Sequence, residues 1–285
     1  MNYLNKIVRL PITLTHLFLK KIFRVMGYNL TIKYKKIKPK KKDEKINLNI
    51  GAGGYVIDGF KSLDFYSKHY YPSKKKFLKE RVEYDLRSDS IPYSDNTVDN
   101  IYISHVIEHV EEKFVVKFIN ESYRVLKKGG TLRIVCPDGK FLFNVSQFQN
   151  EYWNWRKVGS FSNKERYFTN WNEIQQYDYL IREVSTPNCK YYKNKINNNL
   201  NISNLKKLNF RDFKKVIVKN LVFRPEHPGD HINLHDFETL YEKGNNAGFS
   251  HILESKKLGS ISIDMQEEEF DKTAPQMSLY VEMVK

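Results

Sequence analysis

Apolar runs of four or five residues alternate with longer amphipathic stretches through the middle of the chain, as strands alternate with helices. The first run, INLNI at 46–50, sets Ile46, Leu48 and Ile50 ahead of Gly51 and predicts a buried strand that stops at a turn. A mixed segment at 68–81 precedes a short strand at 82–84, which ends at Asp85-Leu86. The strand at 98–103 follows the turn-like Ser94-Asp95-Asn96. Residues 114–126 have helical periodicity, and Lys127-Lys128-Gly129-Gly130 predicts the C-terminus of that helix. A strand at 131–135 is stopped by Pro137-Asp138. Further on, Asp236 or a near neighbour is expected to cap a helix that closes at 245–248, and two more strands finish the sheet. The alternation predicts an α/β, doubly wound, parallel sheet with right-handed crossovers. Ligands of such sheets lie at the carboxyl ends of the strands, here Gly51, Asp64, Asp85, Ser104 and Pro137.

The stretch INLNIGAGGYVIDGFKSLD, 46–64, is the candidate floor of a nucleoside-cofactor pocket. Gly51, Ala52, Gly53 and Gly54 carry almost no side-chain bulk, so the main chain can approach a ligand closely. Asp64 is placed to accept hydrogen bonds from ribose hydroxyls. A dinucleotide fingerprint does not fit. Val56 stands where a third glycine is wanted, and Asp64 follows Gly51 at less than the roughly 20 residues expected, so little helix fits between them.

Charge and composition refine this picture. The chain has 285 residues, enough for a substantial core, and two cysteines, Cys136 and Cys189, too few for a disulfide framework or a zinc cluster. Both are expected to be free thiols in a reducing compartment. The net charge of +15 is uneven: residues 1–45 carry 13 basic and 2 acidic side chains, and residues 190–224 carry 10 and 1. Two local surfaces therefore carry the excess, either meeting an anionic partner or standing as solvated lysine-rich flanks. In residues 1–45, Ile12, Leu14, Leu17, Phe18, Ile22, Phe23, Val25 and Met26 sit among Arg9, Lys20, Lys21 and Arg24. This is the pattern of a basic amphipathic helix, too often interrupted by cations to span a membrane. It reads equally as a peripheral membrane contact or as a helix packed on its own domain. The expected location is cytoplasmic, at the inner membrane face if the helix binds lipid.

Several motifs in order resemble the class I S-adenosyl-L-methionine-dependent methyltransferases: LNIGAG, IPYSDNTVD, SHVIEH and RVLKKGG, within 46–138, with SLYVEMVK at 278–285 resembling their closing strand. The resemblance implies a Rossmann-like, seven-stranded sheet with S-adenosylmethionine as cofactor. It implies that Gly51 and Gly53 line the methionine end, Asp64 holds the ribose, Asp85 and Leu86 meet the adenine, and Ser104 and His105 face the sulfonium. Asn49 departs from the group, many members of which have Asp there. Four segments are expected: the basic segment 1–45, a cofactor-binding core 46–140, a substrate-covering insertion 141–230, and the completion of the sheet 231–285.

The insertion holds 14 of the 40 aromatic residues in its stretch 141–192, with Trp153, Trp155 and Trp171. Such a set suits either a platform for sugar faces or the aromatic core of a small helical lid. For an acceptor hydroxyl a base is needed, and His105, His109, His231 and His235 are the candidates. His105 and His109 share a helix face if a helix starts directly after the strand. The spelling His105-Val-Ile-Glu108-His109 also matches an inverted zinc-protease signature, but it follows a strand inside the methyltransferase pattern, so no metal is expected. The leading expectation is an O-methyltransferase acting on a sugar or phosphorylated sugar intermediate of cell-surface glycan synthesis. Lys206, Lys207, Arg211, Lys214 and Lys215 are the expected phosphate contacts. The alternatives are an RNA methyltransferase, disfavoured because Ser-His-Val-Ile replaces an Asn/Asp-Pro-Pro-aromatic motif, and a non-catalytic cofactor-binding scaffold.

Overall fold

Seven strands form one sheet in the order β3-β2-β1-β4-β5-β7-β6, and the sequence of crossovers places two loops side by side at its centre. The computed structural model describes residues 45–146, 173–189 and 200–285, which lie in one compact unit, Lys45–Lys285. The strands are β1 (Asn47–Ile50), β2 (Lys61–Asp64), β3 (Val82–Glu83), β4 (Val98–Ser104), β5 (Leu126–Pro137), β6 (His251–Glu254) and β7 (Ser278–Val284). All neighbouring pairs from β3 to β5 are parallel. β7 runs antiparallel to both β5 and β6, which makes the sheet mixed where strand–helix alternation alone predicts a wholly parallel one. The strand order reverses between β1 and β4, and ligands of doubly wound sheets bind at such a switch point.

Among the described residues the helices are α1 (Lys74–Glu80), α2 (Glu112–Val125), α3 (Gly139–Ser146), α4 (Glu173–Val184), the single turn α5 (Ile202–Leu205), α6 (Phe210–Ile217) and α7 (Phe237–Ala247). No helix stands between β1 and β2, where turns run from Gly51 to Phe60. α2 buries Val115, Phe118, Ile119, Ser122 and Val125, one stripe at helical spacing, against Leu48, Ile101, Ile103 and Leu132 of the sheet. Each such apolar side chain contributes about 1.5–3 kcal/mol on burial. α7 behaves as its sequence predicts: Asp236 and Thr239 form a capping box, and Gly248 closes the helix at φ 100°.

Two expectations are corrected. Lys127-Lys128-Gly129-Gly130 does not form a helix C-terminus. α2 ends at Val125 and β5 begins at once, the tetrad bulging out where the register jumps from Val98↔Leu126 to Asn100↔Thr131. Nor does a helix start directly after β4. His105 takes φ 54°, Ile107–His109 makes one 3-10 turn, and α2 begins only at Glu112, so His105 and His109 do not share an α-helical face.

A second apolar cluster joins Leu142 and Phe143 of α3, Tyr177, Leu180 and Ile181 of α4, and Phe213 and Ile217 of α6 to Leu234 and Met277 of the main body. It rests on the core side of the 141–230 segment. The expectations for residues 1–45 and for Trp153, Trp155 and Trp171 lie outside the described residues, apart from Lys45. Among the described residues no helix is long and apolar enough to cross a membrane.

Candidate active site

A cleft of about 360 Å³ opens over the carboxyl ends of β1, β2, β3 and β4. β1 ends in Gly51, whose φ of +65° and crowded surroundings both require glycine: a Cβ there would stand 2.3 Å from Val106 Cγ2. Gly53, at φ +55°, has nothing within 4 Å of its missing Cβ and leaves space for a ligand. Only the second of the two glycines therefore serves close approach. Gly51→Ala is expected to destabilise the chain by about 1–2 kcal/mol from backbone strain alone. Denaturant titration checks this, and Gly51→Ala with Val106→Ala should recover only the steric share; a neutral single variant would contradict the strain.

Asp64, at the end of β2, ties the loop down. Its Oδ2 accepts from Gly53 N–H (2.7 Å) and from the Tyr71 hydroxyl, and its Oδ1 accepts from Phe65 N–H (2.7 Å). Arg81 Nη2 donates to Gly53 O (2.9 Å), and its guanidinium lies over the Tyr71 ring at 5.0 Å. Burial pushes the Asp64 carboxyl above its ordinary value, against the pull of these hydrogen bonds and of Arg81. Asp85, after β3, is gripped at both oxygens by Arg87, Nε at 2.9 Å and Nη2 at 2.7 Å. Burial raises that carboxyl, but the Arg87 hydrogen bonds and charge outweigh it and hold it low. The Arg87 guanidinium in turn stands 3.7 Å from the Phe223 ring centre and 5.0 Å from that of Phe65. Phe65, Tyr84, Leu86 and Phe223 line the apolar side of the cleft.

Ser104, His105 and His109 line the far end of the cleft. His105 Nε2 lies 2.9 Å from Ser278 Oγ, and Nδ1 lies 3.1 Å from Glu108 Oε1. His109 Nδ1 donates to the Asp230 carbonyl (2.9 Å), and its ring meets that of His231 at 4.9 Å, T-shaped. Burial, the larger effect, holds His109 below its ordinary value against the opposing charge of Glu108. His231 Nδ1 donates to the Glu183 carbonyl. Glu108 is 2% exposed, and burial pushes its carboxyl up, yet the His105 contact and the charges of His109, His105 and His231 hold it at about 2.

Two of the expected residues stand apart. Asn49 is buried beneath the glycine loop, its Nδ2 3.5 Å from Tyr55 O, and it braces the loop rather than lining the main cleft. His235 is 1% exposed, off the cleft, with Nε2 donating to Ile107 O (3.2 Å). Burial, then the Lys214 charge, lowers its imidazole to about 4. Folded chains thus resist protonation at His235 while unfolded chains take it up near 6.5, so stability is full above about pH 6.5 and declines toward pH 4. His235→Gln should flatten the denaturation midpoint across that window; an unchanged slope would show that other groups carry it. Sequence reasoning missed Tyr71, Arg81, Arg87 and Phe223. Tyr71 and Arg81 reach Gly53 from distant positions, and Phe223 arrives on a loop with no pattern of its own. The role of Glu108 was signalled by its place between the two histidines of SHVIEH.

Residues 55–134 match the sequence model of a family described as methyltransferase domain. Together with the sheet order and the glycine loop at its switch point, this match supports a class I S-adenosylmethionine-dependent methyltransferase. No curated protein matches it. Solved structures similar to it include an S-adenosylmethionine-dependent methyltransferase from Archaeoglobus fulgidus, at 12% identity over 85% of this chain and 86% of the other, TM-score 0.40. One from Thermotoga maritima has 14% identity over 86% and 84%, TM-score 0.38. One from Aquifex aeolicus has 26% identity over 34% of this chain and 59% of its own, TM-score 0.25. These overlays are too loose to bear on the chemistry. The cofactor is S-adenosylmethionine. The cleft suits it, because Gly53 leaves open space and Asp64 Oδ1 accepts one backbone hydrogen bond and keeps a lone pair beside an apolar wall.

Proposed function

We propose that the chain transfers the methyl group to a hydroxyl oxygen of a sugar or phosphorylated sugar, an intermediate of cell-surface glycan synthesis. The observation that carries an oxygen acceptor is His105, which lines the cleft with Nδ1 against the buried carboxylate of Glu108. Nδ1 faces that carboxylate, so Nε2 is the nitrogen an acceptor hydroxyl would meet, in the place of Ser278 Oγ. Exposed Tyr55 and Tyr70 at the rim offer flat rings for the apolar faces of a sugar. Gly53 and Asp64 hold the methionine and ribose portions of the cofactor, and Asp85, Leu86 and the Phe65–Phe223 wall hold the adenine. S-adenosylmethionine supplies an activated methyl on sulfur when bound, so the residues need only align the acceptor and accept its proton.

Lys206, Lys207, Arg211, Lys214 and Lys215, the expected phosphate contacts, do not line the cleft. α6 turns Phe213 and Ile217 inward, and Lys214 is half-buried toward Glu112. The test is a methyl-transfer assay with isotopically labelled cofactor on sugars, nucleotide sugars and RNA. Labelled methyl ether on a sugar hydroxyl is the expected product. Transfer to RNA alone, or to an amine alone, overturns the reading.

A further inference from the structure

Beside the cleft, Glu108, His109 and His231 each aim one ligand atom into a common space, those atoms all lying within 4.8 Å of one another. We propose that these three side chains hold a divalent transition-metal ion, zinc in the first place. The inference goes beyond the methyl-transfer reading and does not depend on which acceptor is used.

Three independent features point to an ion. The tautomers are fixed: His109 and His231 each spend Nδ1–H on a backbone carbonyl, Asp230 O and Glu183 O, which leaves both Nε2 lone pairs directed elsewhere. Metal-bound histidines are oriented in this way by their second nitrogen. The carboxylate is unsatisfied: both Glu108 oxygens are buried with no aligned donor, since His105 Nδ1, 3.1 Å from Oε1, is an ion-pair contact off hydrogen-bond alignment. A buried carboxylate in that condition is costly unless a cation meets it. The spacing is close: His109 Nε2 stands 3.9 Å from Glu108 Oε1, so a contraction of under an ångström at each ligand brings the set to coordination distance.

Two imidazoles and one carboxylate suit zinc or a neighbouring first-row ion and leave further positions open, whereas magnesium and calcium prefer all-oxygen sets. His109 lines the cleft, so an open position of the ion lies next to the acceptor end. An ion there would lower the pKa of an oxygen ligand.

This departs from the expectation of no metal, and the backbone gives the reason. The inverted zinc-protease signature needs both histidines one helical turn apart. Here His105 sits at φ 54° ahead of a 3-10 turn and pairs with Glu108. The second imidazole comes instead from His231, on the loop before α7. That residue is 122 positions from His109 and outside any local motif.

The experiment uses the full chain, stripped with chelator and then titrated with Zn²⁺, Co²⁺ and Mg²⁺ separately. One tightly held equivalent of Zn²⁺ is expected, and one of Co²⁺ with the visible bands of a four- or five-coordinate ion. His231→Ala and Glu108→Gln should each weaken binding on the order of 100-fold. His227→Ala, a histidine of the same loop outside the cluster, should leave it unchanged. Binding of S-adenosylhomocysteine by each variant confirms that it is folded. Wild-type chain that takes up no stoichiometric Zn²⁺ or Co²⁺, prefers Mg²⁺, or binds no more tightly than the folded His231→Ala variant overturns the proposal. The wild-type titration decides alone if a variant fails to fold.

Discussion

Asp64→Ala is expected to weaken S-adenosylhomocysteine binding by roughly 10- to 150-fold, the 1.5–3 kcal/mol of a hydrogen bond to a charged group. Two losses contribute. The carboxylate proposed to receive the ribose disappears, and so does the acceptor that fixes Gly53 N–H and the Tyr71 hydroxyl, so the glycine loop loses its anchor. Tyr71→Phe separates them, because it keeps the carboxylate and removes one donor, and should cost about 1 kcal/mol. Calorimetry on both variants, with denaturant curves to establish that the fold survives, gives the comparison. Equal affinities for wild type and a folded Asp64→Ala would remove Asp64 from the cofactor site.

His105→Ala is expected to lower the turnover number by roughly 10²- to 10⁴-fold, the usual contribution of a positioned general base, with cofactor affinity changed little. Glu108 stands against His105 Nδ1 and is buried away from the acceptor, so Glu108→Gln should lower turnover less than His105→Ala does. A loss of only a few fold in His105→Ala would mean that alignment carries the reaction and the proton leaves by another route. Asp138 is poorly placed for that role: it is off the cleft, and its Oδ1 is taken up with Phe141 N–H at the start of α3.

Strand positions and their carboxyl ends were legible because they rest on local signals. Leu48 and Ile50 run into Gly51, Val98 to Ile103 follow a turn, and Asp236 to Gly248 carry a complete pair of helix caps. The failures share a different cause. Lys127 to Gly130 has the composition of a helix end, but Val98 pairs with Leu126, and that non-local ladder pulls the chain into β5 before a cap can form. The segment after β4 has helical periodicity, but Val106 must pack against Gly51, and the backbone turns at His105 to allow it. Contacts between residues 28 and 55 positions apart settle the two points, and neither is written in a local pattern.

By itself the sequence determined the α/β class, the glycine turn and the two acids that follow it, because hydrophobic period, turn chemistry and caps act within a few residues. The family resemblance added the cofactor, through motifs contained in 46–138. Tertiary structure alone decided how the site is finished. It brings Tyr71 and Arg81 beneath Gly53, Phe223 against Arg87, and His231 to Glu108 and His109, while it withdraws His235 into the core. The physical reason is that a histidine's role depends on what surrounds its two nitrogens and on whether water reaches them, and both are set by residues far away in the chain.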